Sequence, residues 1–208
     1  MTVDWLKLFA ALALLLTPAA FFHGSRGRYR ELSREWDGYW GRTLLYWPHA
    51  FDLGRAFVGA WLLSTAISRT PEAKGVLALV PVAIRGAVLC LATLLQTVVC
   101  RERDSMNAPF AFVTGFSLCL IPIQAALPAL ILAILVSLGT LMRTLFFPVL
   151  AISSSGLAAL FRGGKIPTDL AGVDAALLLP WVLPVLFSRH LVCAYRARRK
   201  TTAPPPER

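Results

Sequence analysis

Residues 108–161 form the longest apolar stretch of the chain, and Arg143 is the only formally charged side chain within it. A hydrocarbon core about 30 Å thick is crossed by about 20 residues of helix, with about 17 as the practical minimum. The stretch is therefore long enough for three crossings. We expect a first turn between Pro122 and Pro128 and a second turn at Arg143. This feature predicts a polytopic helical membrane protein.

The composition agrees with that prediction. Only 15% of the residues are charged and 57% are hydrophobic, whereas about 25% of residues are charged in an average soluble domain. The net charge is +10, but the basic residues lie in short segments beside apolar runs, as at the cytoplasmic ends of membrane helices. No basic domain stands apart from these runs. Nucleic acid is therefore not an expected partner, whereas a bilayer with anionic headgroups is.

The predicted fold is all-α, a transmembrane helical bundle of about seven spans in one domain, residues 1–195. The expected spans are 5–22, 48–67, 75–99, three within 108–161, and 170–190. Arginine and aromatic residues alternate in 23–47, which we expect to lie at the membrane interface. The basic, proline-rich tail 196–208 is expected to be disordered.

An alternative places a re-entrant segment at 144–161, which leaves six spans. Pro148 and the Ser-Ser-Ser-Gly run at 153–156 would suit a broken helix lined by protein. That alternative puts the basic tail outside, so it fits the distribution of positive charge less well.

The charge distribution also predicts an orientation. With the Arg-rich loop 23–49 inside, the segment 101–107, Arg143 and the tail also lie inside, as the positive-inside rule requires. The N-terminus is then outside and the C-terminus cytoplasmic, in a membrane such as the bacterial inner membrane. The segment 5–22 lacks a basic n-region and a good cleavage site, so it is expected to be a retained span.

Three charges interrupt the second and third spans. Asp52 and Arg55 are three residues apart and share one helical face, so they are expected to pair. Arg85 lies close to the centre of its span, where an arginine is costly unless it faces protein, water or an anion. These residues define a possible intramembrane polar or anion site, formed by Arg85, Asp52 and Arg55 with Gln96 and Gln124 as polar company. The alternative for Arg85 is a purely structural role, satisfied by carbonyls and water.

Other motifs supply no catalytic, cofactor or metal site. The four cysteines contain no CxxC pair and the three histidines lack partners at metal-ligand spacing. The sequence DGYWGR at 37–42 superficially resembles the opening of the CDP-alcohol phosphatidyltransferase motif. It lacks the further aspartates that bind the two metal ions of that family, because Arg34 stands where the preceding one belongs. FRGGK at 161–165 lacks the first glycine and the final Ser or Thr of a phosphate loop.

The expected function is therefore non-enzymatic. The first hypothesis is an accessory or assembly-type membrane subunit that acts through helix packing, with a membrane-protein partner or a second copy. The small residues Ala125, Ala129 and Ala133 would permit close helix approach. The alternative is a small transporter for an anionic or lipid-like substrate that uses Arg55 and Arg85. A membrane enzyme acting on lipid is the third and least favoured hypothesis.

Overall fold

A computed structural model describes residues 2–18, 47–68, 76–98, 108–163 and 170–183. These residues form seven α-helices: α1 (Trp5–Leu16), α2 (Trp47–Ala66), α3 (Val76–Val98), α4 (Phe110–Leu120), α5 (Ile123–Gly139), α6 (Phe146–Phe161) and α7 (Leu170–Leu183). Two two-residue strands, β1 (Thr2–Val3) and β2 (Ile67–Ser68), pair antiparallel. The all-α class is confirmed for this part of the chain. The predicted interfacial segment up to residue 46 and the tail 196–208 lie outside the described residues.

Two of the described helical segments are long and apolar enough to cross a membrane, Leu79–Val98 and Arg143–Phe161. The shorter helices are also apolar, but α1 has 12 residues and α4 has 11. At 1.5 Å per residue they extend about 18 Å and about 16 Å, less than the hydrocarbon core. The expected bundle of seven full crossings is therefore not established by helix length.

Helix α1 is shorter than the predicted span 5–22. Asp4 caps its N-terminus, because the Asp4 side chain accepts a hydrogen bond from the backbone N–H of Lys7 at 3.2 Å. The helix ends at Leu16, and Thr17 has an extended backbone conformation. The reason is Pro18, because the residue before a proline is disfavoured in the helical conformation.

The first predicted turn within 108–161 is shorter than expected. Helix α4 ends at Leu120, the turn is Ile121–Pro122, and Pro128 lies inside α5. A proline inside a helix removes a single backbone hydrogen bond, here to the carbonyl of Gln124 in the first turn of α5. Such a loss is tolerated in apolar helices packed against neighbours. The second turn lies just before Arg143, as predicted.

Helix α6 is continuous across the serine run. The hydroxyl of Ser153 donates to the carbonyl of Val149 at 2.5 Å, and that of Ser154 donates to the carbonyl of Ala151 at 3.1 Å. These bonds satisfy the hydroxyls within the helix instead of breaking it. The broken helix that the six-span alternative requires is therefore not observed between residues 146 and 161.

The first four helices alternate in direction. The N–H of Asp4 before α1 bonds the carbonyl of Ala66 at the end of α2 at 2.9 Å, so α1 and α2 are antiparallel. Arg55 in the first half of α2 bonds Gln96 near the end of α3, and Ser64 at the end of α2 lies at the level of Arg85. These helices are therefore antiparallel too.

Helix α4 runs parallel to α2, because Phe112 lies against Arg55 and Leu120 lines the same cavity as Ser64. Gly115 of α4 lies against the backbone of Leu53.

The interior is rich in alanine, and the exterior is rich in large apolar side chains. Ala125, Ala129 and Ala133 are fully buried on α5, which packs along α6. By contrast, Leu135 and Ile152 are 61% and 73% exposed. Small residues inside and large apolar residues outside are the arrangement found in membrane helix bundles.

Candidate functional site

A buried polar network joins the start of α2, the end of α3 and the end of α1. Arg55 is its centre, and its Nε atom donates to Asp52 Oδ1 at 2.8 Å. The pairing expected from the spacing of three residues is therefore present. Asp52 is fully buried and Arg55 is 5% exposed. Two opposite charges in one turn of α2 thus form a neutral pair away from solvent.

The remaining donors of Arg55 reach two other helices. Its Nη1 atom donates to the backbone carbonyls of Leu14 at 2.9 Å and Thr17 at 2.6 Å. Its Nη2 atom donates to Gln96 Oε1 at 2.9 Å. The guanidinium also lies over the ring of Phe112 in α4, 5.2 Å from its centroid, at a distance typical of a cation–π contact. One side chain therefore connects four helices.

Gln96 completes the network from α3. Its Nε2 atom donates to the carbonyls of Leu15 at 3.2 Å and Thr17 at 2.8 Å. The last four carbonyls of any helix lack a partner within the helix, and a helix that ends away from water needs other donors. Arg55 and Gln96 supply these donors to α1. A cation is also favoured at this helix end by the helix dipole.

Arg85 lies elsewhere. It lines a cavity of about 230 Å³ between α2, α3, α4 and α7, and its Nε atom donates to the carbonyl of Pro81 at 3.2 Å. Ser64 of α2 also lines this cavity. Ser64 is twelve residues from Asp52, which corresponds to about 18 Å along the helix. The structure therefore brings Asp52, Arg55 and Gln96 together and places Arg85 in the opposite half of the bundle.

Gln124 belongs to neither group. It lies in the first turn of α5 and is exposed. The predicted five-residue site is thus divided into a three-residue network, a cavity with Arg85, and a surface position.

Two further polar positions had a weaker sequence signal. Arg143 was expected to mark a turn on the cytoplasmic side, and its side chain is only 1% exposed. Asp174, in the first turns of α7, accepts a hydrogen bond from the Ser155 hydroxyl and so connects α7 to α6. The signal for Arg143 was available, because it is the single charge within 108–161.

Within the described ranges, no three His, Cys, Asp or Glu side chains lie close enough to hold a metal ion. Comparison of the chain with protein-family models, curated proteins and solved structures finds no match. The function must therefore be inferred from the geometry of the chain itself.

Proposed function

We propose that this chain is an integral membrane protein whose helices form one bundle, and that it acts as a non-catalytic accessory or assembly subunit. The observation that carries the membrane placement is the distribution of polarity. The buried positions include Asp52, Arg55, Gln96 and Arg143, whereas leucine, isoleucine and phenylalanine are prominent among the exposed ones. Ionisable side chains within membrane segments face the bundle interior, and large apolar patches are rare on the surfaces of soluble monomers.

The short helices are compatible with this placement. Irregular backbone is tolerated at membrane depth where protein satisfies it. Arg55 and Gln96 do this for the end of α1. In our proposal α2, α3 and α6 cross the hydrocarbon core, and the shorter helices pack beside them, some over part of its thickness.

The helix directions are compatible with the predicted succession of membrane crossings, and the proposed orientation rests on the positive-inside rule. Alternating directions of α1, α2 and α3, with α4 parallel to α2, are what successive crossings produce. We therefore propose that the network around Arg55 lies on the cytoplasmic side, together with residues 23–46, and that the N-terminus lies outside. A bacterial inner membrane remains the proposed location.

The subunit role is supported by what the buried polar groups do. Arg55, Gln96 and Asp174 all hydrogen bond to residues of other helices, so they join helices to one another. Buried polar side chains that serve to join helices favour the subunit role, in which the protein acts through helix packing.

Affinity purification of the tagged chain in a mild detergent tests this role. We expect a second membrane protein at a fixed ratio, or a dimer of the chain itself. The control is the same purification after heating above the unfolding transition, which should release the second chain. A homogeneous monomer of 22.7 kDa in every mild detergent would contradict the proposed role.

A second candidate function is binding or transport of an anionic substrate, and the cavity at Arg85 favours it. The version that uses Arg55 and Arg85 together is less well supported. Arg55 belongs to the network around Asp52, whereas Arg85 lies at the level of Ser64, about 18 Å from Asp52 along α2. In addition, Arg55 is already bonded to Asp52, Gln96 and two carbonyls.

A further inference from the structure

The cavity at Arg85 lies between the ends of helices. Three of the four helices that line it contribute residues of a terminal turn, namely Ser64 in α2, Leu120 in α4 and Gly172 in α7. Arg85 lies further from a helix end, because its distance from Val76 at the start of α3 is about 13.5 Å along the axis. The cavity therefore extends from the ends of these helices to the level of Arg85. In the proposed topology these ends face the outer side of the membrane.

Two glycines bring α3 and α7 together at this cavity. Gly86 of α3 and Gly172 of α7 both line it. A Cβ atom added to Gly86 would lie 2.8 Å from Gly172 Cα, and one added to Gly172 would lie 2.6 Å from Gly86 Cα. Only glycine permits so close a crossing of two backbones. Because neither residue has a side chain, the polar peptide groups of both helices form part of the cavity wall.

The side chains of the lining include groups that bind water. These are the Ser64 hydroxyl, the Arg85 guanidinium and the Cys119 thiol. The Ser64 hydroxyl donates to the carbonyl of Trp61 at 2.8 Å, and the oxygen of a hydroxyl that donates is still an acceptor. Cavities that offer hydrogen-bonding groups contain ordered water, whereas purely apolar cavities stay empty.

The size of the cavity and the arginine in its wall both agree with a hydrated interior. The volume is about 230 Å³, whereas one water molecule occupies about 30 Å³ in the liquid. Several water molecules therefore fit. An ionised side chain within a membrane segment faces protein or a water-filled cavity. Water in this cavity stabilises the guanidinium of Arg85 whether or not it also bonds another side chain.

We infer that this cavity is a water-filled vestibule, open to the outer aqueous phase, which admits small water-soluble solutes to the level of Arg85. The inference rests on the proposed membrane placement. It deepens the second candidate function, because it supplies the route by which a hydrophilic substrate enters the bundle. The vestibule ends in the outer half, since the network around Arg55 lies in the opposite half.

Two native cysteines report on water inside the bundle. Cys119 of α4 is among the lining residues, whereas Cys90 of α3 is not among the described ones. Both are free and half-buried, so Cys90 is the matched control for Cys119. The thiolate is the reactive form of cysteine, and a thiol ionises in water and not in hydrocarbon. A water-soluble thiol reagent therefore distinguishes a hydrated position from one in contact with lipid or packed protein.

The test uses the full-length chain in sealed vesicles of known orientation, treated with a small, membrane-impermeant methanethiosulfonate reagent. One variant retains Cys119 alone and the other retains Cys90 alone, with every other cysteine replaced by alanine. We expect Cys119 to react from the outer face at least about tenfold faster than Cys90, because its thiolate forms in water. After unfolding in dodecyl sulfate the two thiols should react at equal rates.

A pair of substitutions in α3 tests whether the cavity is the route. Val82 lines the cavity, whereas its neighbour Ala83 is exposed on the outside of the same helix. We expect Val82→Phe to slow the reaction of Cys119 to the rate of Cys90, and Ala83→Phe to leave it unchanged. Equal outer-face rates for Cys119 and Cys90, or a rate unaffected by Val82→Phe, would overturn the inference. Reaction of Cys119 from the cytoplasmic face alone would overturn the outward opening.

If the variant with Cys119 alone or Val82→Phe does not fold, Ser64→Cys in a chain without native cysteines provides a second reporter from α2. It should also react from the outer face faster than Cys90, and an unreactive thiol in Ser64→Cys would overturn the inference. Extraction of native membranes with alkaline carbonate separates the two levels. Release of the chain into the soluble fraction would refute the membrane placement itself, whereas retention with an unreactive Cys119 would refute only the vestibule.

Discussion

At the scale of single residues, the charges within the second apolar segment are explained by the end of another helix. Helix α1 stops at Leu16 because of Pro18, and its last carbonyls need donors. Arg55 supplies donors to Leu14 and Thr17, and Asp52 neutralises it. The two charges therefore allow a helix to end inside the bundle.

The first prediction concerns this network. Arg55→Leu removes the positive charge that neutralises the buried Asp52 carboxylate, and we expect a loss of about 3–5 kcal/mol in the free energy of unfolding. Adding Asp52→Asn should restore only part of this loss, because the carbonyls of α1 still lack their donors. Unfolding in detergent, followed by circular dichroism, measures both.

Arg162→Leu is the control, since an exposed substitution of this kind usually changes stability by less than about 0.5 kcal/mol. Full recovery in the double variant would show that α1 does not depend on Arg55. If Arg55→Leu unfolds with the same free energy as wild type, the network does not stabilise the bundle.

The sequence predicted the Asp52–Arg55 pair and named Gln96, but it grouped Arg85 with them. The pair follows from local helical periodicity, which a sequence displays directly. The grouping required α3 to shift along the membrane normal. The antiparallel packing of α2 and α3 instead brings the first half of α2 to the end of α3. Arg55 therefore meets Gln96, and Arg85 meets the level of Ser64.

The second prediction concerns Asp4 at the start of α1. The hydrogen bonds and the charge that Lys7 provides lower the pKa of Asp4 below its ordinary value. The contribution of this carboxylate to stability is therefore present above its unfolded-state pKa and is lost as the pH falls through its folded-state pKa.

Carbon-13 NMR of the labelled carboxyl group follows this titration. We expect its midpoint to lie below that of an ordinary aspartate, about 3.9, and to return towards that value in Lys7→Gln. A midpoint that is insensitive to Lys7→Gln would contradict the assigned cause.

At the scale of elements, close backbone approaches fix how the helices pack. A Cβ atom added to Gly115 of α4 would overlap the carbonyl oxygen of Leu53 in α2. No such neighbour lies within 4 Å of Gly156 in α6. The two glycines occur in similar apolar helices, so they form a matched pair of sites.

The third prediction uses this pair. We expect Gly115→Ala to lower the free energy of unfolding by about 1–3 kcal/mol, because two helix backbones must separate. Gly156→Ala should be neutral or stabilising, because alanine favours helix more than glycine does. Thermal unfolding of both variants in one detergent measures the difference. Equal effects at the two sites would show that α2 and α4 are not in contact at this position.

The positions of the helices were largely predictable from the sequence. Each expected span corresponds to a described helix, because long apolar runs separated by charges or prolines are a strong signal. Helix ends were less predictable. Pro18 ended α1 early, whereas Pro128 lies inside α5, so a proline in the sequence does not by itself mark a helix end.

At the scale of the whole molecule, the described helices bury polar groups in the bundle and expose large apolar side chains. Burial of Arg143 and exposure of Ile152 belong to the same arrangement. Neither could be read from composition, because an apolar run does not reveal which of its faces meets lipid. The proposed subunit role adds one expectation, the co-purifying chain described above.

The proposal that most needs a direct test is the crossing of the membrane by α2. This helix carries two charges, and it is not one of the two segments that are long and apolar enough to cross a membrane by length and composition. Its flanking segments should lie on opposite sides. In a variant without Cys90, Cys100, Cys119 and Cys193, single cysteines are introduced as Arg30→Cys, Glu72→Cys or Glu102→Cys. Each is treated with a membrane-impermeant maleimide in sealed vesicles of known orientation.

We expect Cys labelling from the outer face only for Glu72→Cys, and from the cytoplasmic face for Arg30→Cys and Glu102→Cys. Permeabilised vesicles, in which all three must react, provide the control. Labelling of Arg30→Cys and Glu72→Cys from the same face would mean that α2 does not cross the membrane, and it would contradict the account.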